Sequence, residues 1–270
     1  MPTHTDLWLL LAGAVAASVN AAAGGGTLLS FPSLMAAGLS PLAANATSTV
    51  GLVPGAVASV WAYRRELRAL RGEGILILIP AVFGGVTGAW LLLHLGGRVF
   101  ERVVPFLLLG SAALLAAQPL LNRMVLKRTG GATAASSSGA QPFAATTAGL
   151  GPAVAVVLFI AVYTGYFGAG AGILFLGAMG LVLSRSLGEL NALKVLSNVA
   201  ANGIGAATFA IMEWRHPSGA LVLRDAVPLA IGAILGGYFG VRVVRKLPAW
   251  ALRAFASSVG VGIAIWLAVR

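Results

Sequence analysis

The sequence predicts an all-α polytopic membrane protein built from two inverted-topology repeats. Three observations predict it. Apolar residues make up 59% of the 270-residue chain and charged residues only 9%, against roughly a quarter charged in a soluble domain. The apolar residues gather into eight stretches of membrane-spanning length. Several residues recur at a nearly constant offset, so the chain carries its pattern twice. So apolar a chain has too little polar surface to cover a soluble core, which excludes a soluble enzyme, a nucleic-acid-binding domain and a disordered protein.

The net charge of +11 does not point to nucleic acid. The basic residues are scattered among short loops between apolar stretches, the pattern of a cytoplasmic membrane face. With no cysteine, disulfides, thiol catalysis and thiolate metal sites are excluded. His4, His94 and His216 show no metal-ligand spacing, and no cofactor or metal is expected.

The eight stretches are 7–39, 41–63, 74–96, 103–121, 151–183, 190–212, 226–244 and 249–269. Six have the length of one helix. The first and fifth, 33 residues each, are too long for one span, and glycine clusters interrupt both: Gly24-Gly25-Gly26 and Gly168-Ala169-Gly170-Ala171-Gly172. Glycine weakens a helix and permits positive φ, so each cluster marks a break. Each repeat is therefore a broken-helix hairpin or re-entrant segment followed by three transmembrane helices, giving eight to ten membrane segments. Residues 1–121 form the first repeat, 122–150 a flexible cytoplasmic linker of small polar residues, and 151–270 the second repeat. Residues 1–6 carry no Lys or Arg, so cleavage of the first apolar run as a signal peptide is not expected.

The repeat is legible in paired residues. Gly24 and Gly170, Gly26 and Gly172, Asn45 and Asn191, and Ala46 and Ala192 lie 146 positions apart; Pro80 and Pro228, Gly84 and Gly232, and Gly88 and Gly236 lie 148 apart. If each long stretch makes an even number of crossings, one side collects 12 Lys and Arg and the other 5; single crossings would give 10 and 7. The steeper asymmetry is preferred. It makes the repeats inverted, puts the linker in the cytoplasm and leaves both termini outside it.

Broken helices in inverted repeats expose unpaired N–H groups that attract anions, helped by the helix dipole. Gly24, Gly25, Gly26 and Thr27, with Gly168, Gly170 and Gly172, are candidates for an anion cradle; tight helix packing is the alternative. Asn191, Lys194, Asn198 and Asn202 share one face of a helix at spacings of 3, 4 and 4. An ionisable group within a span suggests function, although Lys194 could instead snorkel to the interface. In the first half, Asn45, Thr47 and Ser48 occupy the corresponding place, as anion donors or as hydroxyls bonded to their own helix. Asn20 precedes the first cluster. No Asp or Glu lies deep in any stretch, so no carboxylate proton relay is evident.

Asn20 to Pro32, Ala44 to Gly55 and Tyr63 to Leu67 resemble the first half of the TauE/SafE family of sulfite exporters. Gly165 to Gly172, Asn191 to Lys194, and Leu247-Pro248 to Leu252-Arg253 resemble its second half. The resemblance implies a bacterial inner-membrane permease that exports sulfite, an organosulfonate or a related sulfur-containing anion. Its expected partners are that small anion and the lipid bilayer. A homodimer is compatible with such a permease, although no sequence feature shows one. The competing readings are an anion channel and a membrane accessory subunit without transport of its own.

Overall fold

The computed structural model describes residues 4–128, 147–183, 185–240 and 249–269. All regular structure among them is helical. Helix α1 (His4–Ala23) is followed after the first glycine cluster by a short α2 (Thr27–Ala36). Then come α3 (Pro41–Ala62), a single turn and a half α4 (Arg64–Ala69), and the long α5 (Arg71–Arg128). The second half runs α6 (Thr147–Tyr166), short α7 (Ala171–Val182), α8 (Leu187–Arg215), α9 (Leu223–Leu235) continued by a π-helical turn (Gly236–Gly240), and α10 (Ala249–Val269).

Lengths resolve the two long apolar stretches. At 1.5 Å per residue, α1 and α6, of 20 residues each, reach about 30 Å, enough to span a bilayer's hydrocarbon. The 10 residues of α2 and 12 of α7 reach only about half that. Each stretch is thus one full-length helix followed by a half-length one. Stretches 74–96 and 103–121 are the two limbs of α5, broken at Gly96, where φ is 72° and ψ 169°. The segment read as a flexible linker is helical at both ends, since α5 continues to Arg128 and α6 starts at Thr147; the rest of it lies outside the described residues, as does Leu247-Pro248.

Helix starts follow local chemistry. Ser40 caps α3 by accepting from the Ala43 N–H, and Ser186 caps α8 in a capping box with Glu189. These two serines lie 146 positions apart. At the breaks the register differs. Gly24 and Gly168 both adopt φ of +78°, and Gly26 and Gly170 both precede the short helices. These pairs lie 144 apart, two fewer than the pairing of Gly24 with Gly170 and of Gly26 with Gly172 read from the sequence. The reason is that α7 is two residues longer than α2, which restores 146 at the serines.

Backbone-to-backbone packing crosses between the halves. Gly84 and Gly88 of α5 pack on the main chain of α6 at Leu158 and Val162, while Gly232 and Gly236 pack on α1 at Leu10 and Ala14. Glycine allows this approach where any larger residue would hold the helices apart. Each partner in the second set is displaced by 148 positions from its counterpart in the first.

The outside of the molecule is apolar. Trp61, Phe83, Phe106, Phe159 and Trp214 are exposed, as lipid contact requires. All six tryptophans lie within six residues of a helix end or of the Gly96 break, where an interfacial aromatic belt would fall. Leu39, Arg98 and Trp266 line one groove, and Leu93, Glu213 and Ala220 another, so the α2–α3 connection, the Gly96 break and the C-terminal end of α10 lie toward one end of the bundle. At the opposite end Arg185, between α7 and α8, forms an ion pair with Glu73 at the start of α5.

Candidate functional site

The two breaks meet. A Cβ on Gly24 would lie 3.0 Å from the Gly172 Cα, and one on Gly172 would lie 3.0 Å from the Gly24 Cα. Only glycine on both sides allows this contact, and at Gly24 the positive φ makes the same demand independently. Among the described residues, the N–H groups of Gly25, Gly26 and Thr27 find no acceptor, nor do those of Ala169, Gly170 and Gly172. Two half-helix N-termini therefore bring unpaired donors to one place.

Lys194 stands beside them. The same Cβ on Gly172 would lie 3.2 Å from the Lys194 Cδ and 3.5 Å from the Asn198 Nδ2. The side chain is 1% exposed, so it does not snorkel. Its ammonium donates to the Asn191 Oδ1 at 2.9 Å, and Asn191 Nδ2 donates to the Leu187 carbonyl at 2.8 Å, which holds the amide in register. The ion pairs among the described residues join Arg185 to Glu73 and Glu189, and none reaches Lys194. A buried ammonium with one amide partner and no carboxylate is costly in isolation and favours an anionic neighbour.

The remaining sequence candidates divide. Ser48 reaches the first break through Ser30 of α2, with hydroxyl oxygens 2.6 Å apart, and Ser30 donates to the Gly26 carbonyl. Asn45 reaches the second: its Nδ2 donates to the carbonyl of Tyr166, the last residue of α6. Asn20 supports the first break from below, its carbonyl accepting from the Gly24 N–H. Gly25 packs on Leu115. Gly168 supplies a positive-φ turn four residues before Gly172. Thr47 is used elsewhere, accepting from the Val222 N–H at the start of α9. Asn202 bonds back to its own helix at the Asn198 carbonyl.

Three contributions escaped the sequence. Tyr163 of α6 donates to the Ala169 carbonyl, and the Ser111 hydroxyl of α5 shares its one proton between that carbonyl at 2.8 Å and the Leu107 carbonyl at 2.6 Å, so both pin the second break. Phe31, Phe100, Tyr166 and Phe167 form an aromatic cluster, with Phe31 and Phe167 rings 5.6 Å apart, packed between the breaks and the Arg98 end. Glu73 is buried in its ion pair with Arg185. Nothing local in the sequence distinguishes Ser111 or Tyr163 from ordinary packing residues.

This is an all-α membrane protein whose polar interior is organised around two broken helices, the architecture of a membrane transporter rather than of an enzyme. The chain belongs to the family described as "Sulfite exporter TauE/SafE", whose profile matches residues 9–267. It is similar to "Probable membrane transporter protein ORF9" of Sinorhizobium sp, with 25% identity over 98% of this chain and 92% of that one. It is also similar to "Probable membrane transporter protein YfcA" of Escherichia coli (strain K12), at 26% identity over 85% of this chain and 77% of that one. A "Probable membrane transporter protein" of Haemophilus influenzae shares 27% identity over 87% of this chain and 84% of its own length. No solved structure matches the chain.

Proposed function

We propose that this chain exports sulfite, an organosulfonate or a related sulfur-containing anion across the bacterial inner membrane by alternating access. The observation that carries the reading is the meeting of two half-helix N-termini at Gly24 and Gly172 beside the buried, carboxylate-free Lys194. The N–H groups hydrogen-bond the anion's oxygens, Lys194 supplies the counter-charge, and Asn191 and Asn198 orient it.

Inverted repeats are supported by the paired glycine contacts and the paired Ser40 and Ser186 caps. Among the described residues, nine Lys and Arg belong to the end that holds Glu73 and Arg185, and four to the end that holds Arg98. The richer end is assigned to the cytoplasm, with both termini opposite. Because α5 packs on α6 and α9 on α1, the moving bodies are mixtures of the two halves. The aromatic cluster closes the site toward the outer end. An anion leaving a negative-inside cell gains about 2.3 kcal/mol per charge per 100 mV, so export runs downhill.

Purified protein in liposomes tests this. Saturable sulfite flux that is accelerated by sulfite on the far side is expected of a carrier. Flux that never saturates would make the protein a channel, and no flux would make it an accessory subunit.

A further inference from the structure

Beside the second break lies a buried acceptor that no donor among the described residues reaches. Asn45 is fully buried, and its Oδ1 has no hydrogen-bond partner among the described residues. The orientation of the amide is fixed, because Nδ2 donates to the Tyr166 carbonyl at 2.9 Å. Tyr166 immediately precedes the second break, while Ser48, three residues along the same helix, is bonded to Ser30 of α2 behind the first. The face of α3 that carries Asn45 therefore touches both. The break N–H groups and Lys194 offer donors alone. A fully ionised oxyanion answers those donors and leaves Asn45 unsatisfied.

We propose that Asn45 makes the site selective for a singly charged sulfur oxyanion that carries a hydrogen-bond donor of its own, such as hydrogen sulfite or a hydroxyl-bearing sulfonate. This rests on the anion-site reading above and names its substrate class more narrowly. The bound anion turns its bare oxygens to the break N–H groups and to Lys194, and its O–H donates to Asn45 Oδ1. A site built to accept a substrate hydroxyl rejects the analogue that lacks it, because the protein acceptor is left buried and unpaired. The inference also supplies what the membrane interior lacks. The ion-paired carboxylate Glu73 lies at the end of the bundle, so a proton that crosses with sulfite crosses as part of hydrogen sulfite and is released where that ion dissociates.

Thermal stabilisation of the purified full chain by matched ligands tests it. The probes are 2-hydroxyethanesulfonate and 1-propanesulfonate, which differ by a hydroxyl in place of a methyl, together with hydrogen sulfite. The wild type is expected to respond to the hydroxyl compound at about tenfold lower concentration than to the methyl compound, the worth of one hydrogen bond to a buried group. In Asn45→Leu that preference is expected to vanish. Equal response of the wild type to both sulfonates would overturn the selectivity and leave the anion site standing. No response to any of the three probes would overturn the anion site itself. Should Asn45→Leu fail to fold, the wild-type comparison alone decides.

Discussion

The two breaks share a backbone plan and differ in what surrounds it. The first, Gly24 to Gly26, contains one positive-φ residue and is held by weak neighbours: the Asn20 carbonyl and the hydroxyls of Ser30 and Ser48. The second contains two, Gly168 and Gly170, and is pinned through the Ala169 carbonyl by Ser111 and Tyr163. Lys194 lies against the second, whereas the corresponding position in the first half is Ser48. The two breaks thus share unpaired donors but not the charge. In the proposed site one break has the counter-charge beside it and the other contributes N–H groups. A site with one ammonium also avoids the repulsion and desolvation that a second buried lysine would add.

The comparison can be broken most forcefully at the contact itself. Gly24→Val places a branched side chain at positive φ and against the Gly172 backbone, so sulfite flux is expected to fall to the liposome background while membrane insertion persists. Surviving flux would mean that the breaks separate without consequence.

Lys194→Met comes next, because it keeps the stem and removes the charge. Loss of a buried charge-assisted partner is worth about 2 kcal/mol or more, so sulfite binding should weaken by at least about 30-fold. The ligand-free protein should melt no lower than wild type, since a buried ammonium without a carboxylate has been removed. Unchanged affinity in a calorimetric titration would remove Lys194 from the site.

Smaller effects distinguish the supports. Tyr163→Phe deletes one of two donors to the Ala169 carbonyl, worth about 1 kcal/mol, and binding should weaken by about fivefold. Combined with Ser111→Ala the loss should exceed the sum of the single losses, because the carbonyl is then unpaired. Ser48→Ala should change binding least, by about threefold or less, since its contact at the first break passes through Ser30. A Ser48 effect as large as that of Lys194 would abolish the asymmetry between the breaks.

Much of this was legible in the chain because it depends on local chemistry. Hydropathy marks the stretches whatever their neighbours, and clustered glycines weaken a helix wherever they fall, so Gly24 to Gly26 and Gly168 to Gly172 could be read as breaks before any contact was known. The helical spacing of Asn191, Lys194 and Asn198 placed them on one face for the same reason. The sequence left open whether Lys194 reaches the interface and whether the long stretches cross fully, since both depend on what packs against them. Burial among other helices settled the first, and the half-length of α2 and α7 bears directly on the second.

By itself, then, the sequence determined the membrane class and the places where helices fail. Only the tertiary structure decided that Gly24 faces Gly172, that Thr47 serves the start of α9, and that Ser111 and Tyr163 hold Ala169. The physical reason is range. Propensity and hydropathy act within a turn or two of the chain, whereas these contacts join residues separated by up to 175 positions, as between Thr47 and Val222. Such pairings are fixed by how closely small residues let whole helices approach, a property of two surfaces that neither stretch carries alone.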